Sequence, residues 1–354
     1  MISVISVVLP FTGDTMTLKI DVFNHIFPAP FFERLQDVIV NRGAIKRWLN
    51  IPFLHDLDVR FRMLEEFGPD YRQILSLSAP PIESINPDRR VTLDLATLAN
   101  DSMADLVRLH PGRFPGFIAS LPLNHPDESV AEMERSVTAL GALGVQVFSN
   151  VNGVPLDDAR YDALFETADR LRCPILLHPA RGAGFADYAV ESKSKYEIWW
   201  TFGWPYETSV AMQRLVFSRL FDRLPGIKIV AHHLGAMIPY FEGRIGYGLD
   251  QFGARTADED YGALLASLAK RPLDYFKMFW ADTAVFGSRA ATECGLKFFG
   301  TDQVVFASDA PFDPEGGPLY IRETLKVLDR LEISEVARQK IYQGNAERLF
   351  GRRF

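Results

Sequence analysis

Eight short apolar runs recur along the chain, and most are apolar throughout rather than at alternate positions. They are LKIDVF (18–23), ILSLS (74–78), PGFIAS (115–120), GVQVFS (144–149), PILLH (174–178), IKIVAH (227–232), MFWA (278–281) and VVFAS (304–308). An alternating run has one wet face. A continuous run is buried on both faces, which is the condition of a strand in a parallel sheet. Helical spacing of apolar residues fills the intervals, over 103–111, 128–144, 158–172, 210–226, 260–272 and 320–331. Strands alternating with helices make βα units, and eight such units close into a (β/α)8 TIM barrel, an α/β fold. An open doubly wound sheet is the competing architecture, but no Gly-rich phosphate loop follows the first run. The 354 residues accommodate one barrel of typically ~250 residues with insertions. We read residues 17–354 as one barrel domain and residues 1–16 as a short N-terminal extension, an added strand or covering arm.

The insertions fall at two places, 28–70 and 183–209, where the connections are longest. In a barrel such loops stand over the carboxyl ends of the strands, where active sites are built. The second carries Trp199, Trp200, Phe202, Trp204 and Tyr206. These aromatics either pack on a planar substrate, with Trp204 as the foremost candidate, or form the core of the lid itself.

Charge narrows the partners. A net charge of −7 opposes nucleic acid or an anionic membrane surface, since either calls for a basic face. No apolar stretch reaches the ~20 residues that span a bilayer. The apolar start lacks a basic leader region and a small-residue cleavage site, so it does not read as a signal peptide. Two cysteines, Cys173 and Cys294, indicate a reducing cytoplasm and no disulfide framework. Cys173 opens an apolar strand and reads as a small buried hydrophobe.

Several apolar runs end in His or Asp: His25, His178, the His232–His233 pair and Asp309. Imidazoles and a carboxylate converging from separate strands are how a protein builds a divalent-metal site. Alternate side chains share one face of a strand, so Asp21, Phe23 and His25 are expected to point together into the barrel, with Asp21 deeper. Phe23 cannot coordinate. His178 ends its strand as a natural ligand. Arg181 beyond it is either a binder of a substrate carboxylate or a solvated loop residue. Adjacent residues on a strand face opposite sides, so only one of His232 and His233 is expected in the pocket. We favour His233, as general acid or base, and read His232 as structural. Asp309 serves as metal ligand, proton carrier or both in turn, with a helix cap as the plainer role. Asp282 is a weaker candidate for support from outside the ligand set. His55, His110 and His125 lie in loop-like contexts and receive no catalytic role.

Three segments carry a family resemblance: HLGAMIPYFEGRI (233–245), SDAPF (308–312) and NAERLF (345–350). The chain resembles the amidohydrolase-related family of metal-dependent (β/α)8 enzymes, the group of aminocarboxymuconate-semialdehyde and γ-resorcylate decarboxylases. The resemblance implies metal ligands at His25, His178 and Asp309 and a catalytic histidine at His233. It implies a carboxylate-binding arginine at Arg244, acting across the interface of a homodimer or higher oligomer, and a weaker counterpart at Arg47. The family carries His or Glu, a metal ligand, where this chain has Phe23. Three protein ligands and water suffice for catalytic zinc, so the expected cofactor is one divalent ion, zinc first and manganese second, with His233 as a possible recruit to the ligand set. The implied reaction is nonoxidative decarboxylation of a small aromatic or dienoic carboxylate. A hydrolase or hydratase that activates water is the alternative. A degenerate subunit supporting an active paralogue in a hetero-oligomer is the third reading.

Overall fold

The structure, a computed structural model, describes residues 18–354; the extension expected over 1–16 lies outside the described residues. Eight parallel strands run in chain order around one sheet. They are β1 (Lys19–His25), β2 (Tyr71–Ser76), β3 (Gly116–Ser120), β4 (Gly144–Phe148), β5 (Ile175–His178), β6 (Ile229–Ala231), β7 (Trp280–Asp282) and β8 (Val304–Val305). Backbone hydrogen bonds close the ring between its first and last members: Val22 N donates to Phe306 O, Asp309 N to Phe23 O and His25 N to Ala310 O. All eight expected strands are present, their ends displaced by a few residues. A short antiparallel hairpin, Asn150–Val151 with Val154–Pro155, was not anticipated.

Two apolar layers hold the barrel. Ile20, Val22, Phe23, Ile74, Ile118, Leu176, Val230, Trp280 and Val305 fill its interior. The larger layer lies between strands and helices. The helix expected at 103–111 is the end of a much longer one, Arg89–Leu109, whose start is capped by Asp88 accepting from Arg90 N and Val91 N. That cap satisfies donors a helix start otherwise leaves orphaned. The C-terminal helix Asn345–Phe350 closes the barrel floor, with Ala346 and Leu349 in the interior layer and Arg348 lying 4.8 Å over Trp280. Cys173 is buried, and burial pushes its thiol up to about 12, as an inert core residue requires. Among the described residues no helix is long and apolar enough to cross a membrane.

One expectation about β1 fails. Asp21 pairs with Gln73, but Asn24 already pairs with Leu75, so β1 holds one extra residue there. This bulge resets the alternation. Val22 and Phe23 both reach the interior layer, while Asp21 is bonded to Tyr71 OH, whose ring belongs to the outer layer, and to Ser308. Asp21 therefore ties β1 to β8 from behind and does not share the face of Phe23 and His25. Full burial raises its carboxyl to about 6 against the hydrogen bonds it accepts.

Candidate metal centre and cavity

Beneath the mouth of the barrel, His25, His178 and His232 each offer a ring nitrogen, and these nitrogens lie within 4.8 Å of one another. Nδ1 of His25 is 2.9 Å from Leu77 O, and Nδ1 of His178 is 2.7 Å from Pro179 O. A carbonyl oxygen has no proton to give, so in each ring Nδ1 carries the hydrogen and Nε2 the lone pair. His232 is held alike: its Nδ1 is 2.5 Å from Asp282 Oδ2. Asp282 is itself fixed by Ala284 N, which donates to Oδ1.

Asp309 completes the group. Its Oδ1 lies 3.0 Å from His25 Nε2 and 3.4 Å from His232 Nε2, and its Oδ2 lies 3.5 Å from His233 Nε2. Ligands about 2.1 Å from a tetrahedral ion stand roughly 3.4 Å apart, so these separations suit one divalent cation. His232 Nε2 is buried and faces Asp309 Oδ1 without a well-formed hydrogen bond, as a nitrogen placed to meet a cation would be. The donor set fits a divalent metal. Electrostatics agrees. Burial pushes His178 well below its usual value, helped by the charges of His232 and His25, which keeps it a neutral ligand. Burial works against ionisation of Asp309, but hydrogen bonding and charge from His232, with bonds from His233 and His25, hold its carboxyl well below the usual range. Burial opposes a charge on His232, yet Asp282 and Asp309 lift it to about 9, so without a metal its Nε2 holds a proton facing Asp309, which a cation bound there would displace.

Both members of the histidine pair reach Asp309 with Nε2, and of the two only His233 lines the cavity. The rule of opposite faces holds within a strand, and β6 ends at Ala231. From His233 the backbone turns left-handed, with φ of 54° at His233, 55° at Leu234, 75° at Gly235 and 55° at Ala236. This swings the ring of His233 back over that of His232, 3.9 Å between centroids. Left-handed backbone at non-glycine residues costs on the order of 1–3 kcal/mol each and persists at sites that need it. Gly235 is required outright, since a Cβ there would lie 2.6 Å from the ring of Phe299. Asp309, at φ 60°, is strained in the same way.

Above the group opens a cavity of about 1140 Å³, with His178, His233 and Asp309 at its floor. The connection over 28–70 supplies Arg47 and Trp48 to the wall, and the connection over 183–209 supplies Trp199, Trp200 and Trp204. Trp204 meets His178 edge-on at 5.7 Å and donates from Nε1 to Arg181 O. Arg181 lines the cavity but pairs with Glu207 at 2.8 Å. Its side chain crosses a helix start so closely that a Cβ on Gly203 would lie 2.5 Å from it. Arg47 donates to Phe312 O and lies over the Phe312 ring. Arg244 is elsewhere, exposed on the helix Glu242–Leu249 and outside the cavity wall.

Phe23 sits among the ligands, its ring 5.2 Å from His25, 5.8 Å from His178 and 4.1 Å from His232. A support that sequence reasoning missed is Arg60. It is fully buried and donates to His25 O, Asn24 Oδ1 and Gln73 Oε1, which fixes the end of β1. Burial lowers its guanidinium to about 9. Its signal was helical spacing: Arg60 shares the buried face of its helix with Met63 and Leu64.

Known proteins resemble this chain in sequence and in fold. A sequence model of the amidohydrolase family matches residues 55–352. A γ-resorcylate decarboxylase of Rhodococcus jostii is 34% identical over 83% of this chain and 87% of its own. A 2-amino-3-carboxymuconate-6-semialdehyde decarboxylase of Dictyostelium discoideum is 32% identical over 84% and 77% respectively. A dihydroxybenzoic acid decarboxylase of Polaromonas sp. JS666, solved with manganese and the inhibitor 2-nitroresorcinol, superposes with a TM-score of 0.76 at 29% identity, covering 95% of this chain and 97% of that one.

Proposed function

The chain belongs to the amidohydrolase family, and from that premise we propose that it is a divalent-metal-dependent enzyme removing CO2 nonoxidatively from a small aromatic or dienoic carboxylate. One observation carries the reading: His25, His178 and His232, each tethered at Nδ1, bring ring nitrogens within 4.8 Å of one another, with Asp309 3.0 Å from His25 Nε2, beneath an aromatic-walled cavity. His25, His178 and Asp309 hold the metal. Held there, a divalent cation would supply Lewis acidity that stabilises negative charge as the C–C bond breaks. The imidazole-rich set favours zinc, and manganese, held by the Polaromonas relative, is the competitor.

The remaining chemistry belongs to side chains. Breaking the carboxyl bond leaves an electron pair on carbon, which must take a proton. Asp309 Oδ2 and His233 Nε2, 3.5 Å apart, share the proton that fills that place. Burial and the charge of His232 hold His233 below its usual value, so the ring favours its neutral form and the proton delivered to carbon must first be drawn from solvent. Trp204 packs on the planar substrate, and Arg47 and Arg181 hold its polar groups. Arg244, beside the exposed Tyr240 and Tyr247, reaches the carboxylate of a second copy in a homodimer. The enzyme works in a reducing cytoplasm.

The test is product analysis with zinc- or manganese-loaded protein and 2,6-dihydroxybenzoate or related acids. Release of CO2, with one solvent deuterium placed on the former carboxyl carbon in D2O, is expected. Incorporation of solvent oxygen without CO2 would replace the decarboxylase with a hydratase or hydrolase. A wild type that takes up no metal under any loading would overturn the metalloenzyme.

A further inference from the structure

The residue beside Phe23 that meets every requirement of a ligand is His232, which lies just outside the 233–245 segment. We infer that His232 is the metal ligand that stands in for the side chain Phe23 cannot supply, so that the set is His25, His178, His232 and Asp309. This rests on the metal-dependent reading above.

The argument is geometric. His232 is 1% exposed, and its Nε2 faces Asp309 Oδ1 at 3.4 Å without a well-formed hydrogen bond. A cation between this nitrogen, His25, His178 and Asp309 would meet it along its lone pair, within the 4.8 Å span of the three ring nitrogens. Its other nitrogen is tied to Asp282. That carboxylate–imidazole arrangement fixes the tautomer that leaves Nε2 free and raises the ligand's basicity. Asp309 separates the two neighbouring histidines by its two oxygens: His25 and His232 approach Oδ1, while His233 approaches Oδ2 from the cavity. The Oδ1 side is the metal face and the Oδ2 side the proton face. Phe23 packs its ring 4.1 Å from that of His232, so an apolar side chain on β1 buttresses a ligand delivered from β6. The left-handed run beginning at His233 is what lets neighbouring residues serve the two faces separately.

The experiment measures zinc affinity by chelator competition and counts coordinated imidazoles by X-ray absorption on zinc-loaded protein. Wild type is expected to show three imidazoles. His232→Ala is expected to show two and to lose at least about 100-fold in affinity, beyond the roughly 10–100-fold typical of losing an outer support. Adding Phe23→His to His232→Ala returns the third imidazole and most of the affinity. His233→Ala keeps all three, which separates the neighbours. Two imidazoles in the wild type, or a His232→Ala protein that binds zinc as the wild type does, would overturn the assignment while leaving the metalloenzyme intact. A wild type that binds no metal would instead sink the broader reading. If His232→Ala does not fold, the wild-type count decides alone.

Discussion

The ligand cradle and the cavity wall meet at Asp309, and they are built by different rules. In the cradle every imidazole has a second anchor: Leu77 O for His25, Pro179 O for His178 and Asp282 for His232. These rings sit at the ends of strands in a closed barrel and are buried to within 2%. The wall comes from long connections. There the polar groups are committed to neighbours, Arg181 to Glu207 and Arg47 to Phe312 O, and Arg47 is exposed. Strand ends hold geometry tightly, whereas loops tolerate exchange. On the proposed reading the difference would lodge reaction type in the cradle and substrate choice in the wall, so each should fail separately when mutated.

The largest effect should come from the residue common to both. Asp309→Ala removes a ligand and a proton carrier together, so kcat/KM should fall by about 10³-fold or more. Elemental analysis should show the metal lost as well. A variant that keeps its metal and most of its turnover would break the division at its centre. Next is His233→Asn, which strikes only the proton face. Turnover should fall about 10²- to 10⁴-fold with metal content unchanged. Loss of metal in this variant would move His233 into the ligand set and merge the two faces of Asp309.

A smaller effect should mark the wall. Trp204→Ala removes an aromatic surface worth roughly 0.5–1.5 kcal/mol beyond its buried area. KM should rise by about tenfold with little change in kcat, and metal content should hold. A drop in kcat with KM unchanged would mean that Trp204 acts through its contact with His178 and belongs functionally to the cradle.

The two regions also differed in how far they could be read from sequence. Strands of a parallel barrel announce themselves because burial on both faces leaves an uninterrupted apolar run, and residues such as His25, His178 and Asp309 stand out at the ends of such runs. The approach of His232 to Asp309 was not legible, because alternation stops at Ala231, one residue before it. The left-handed turn that brings it beside His233 depends on tertiary packing of Gly235 against Phe299, which no local pattern reveals. Asp21 was misplaced for a related reason: one extra residue in β1 reverses the face, and a bulge leaves no mark in composition. Arg60 hid because a charged residue on the apolar face of a helix reads as surface until its acceptors are seen. In the wall, aromatic content was legible, but the partners of Arg47 and Arg181 were not, since they lie across long loops.

Stability, rather than turnover, contrasts two buried carboxyls. Asp309 has imidazole partners and is held acidic. Glu83, on the short helix Ile82–Ile85 beside the wall, is buried with neither carboxyl oxygen hydrogen-bonded. Burial raises it from an ordinary 4.5 to about 8. Between those values the folded protein binds a proton that the unfolded chain has released, so stability must fall as pH rises through that window and level off above it. At about 1.4 kcal/mol for each pH unit the loss amounts to up to about 5 kcal/mol. Glu83→Gln cannot ionise. Urea denaturation of both proteins from pH 5 to pH 9 should therefore show the variant gaining steadily on the wild type, whatever fixed cost the buried amide brings. Parallel curves would mean that Glu83 finds a partner for its charge, and that the ground beside the wall is as well satisfied as the cradle.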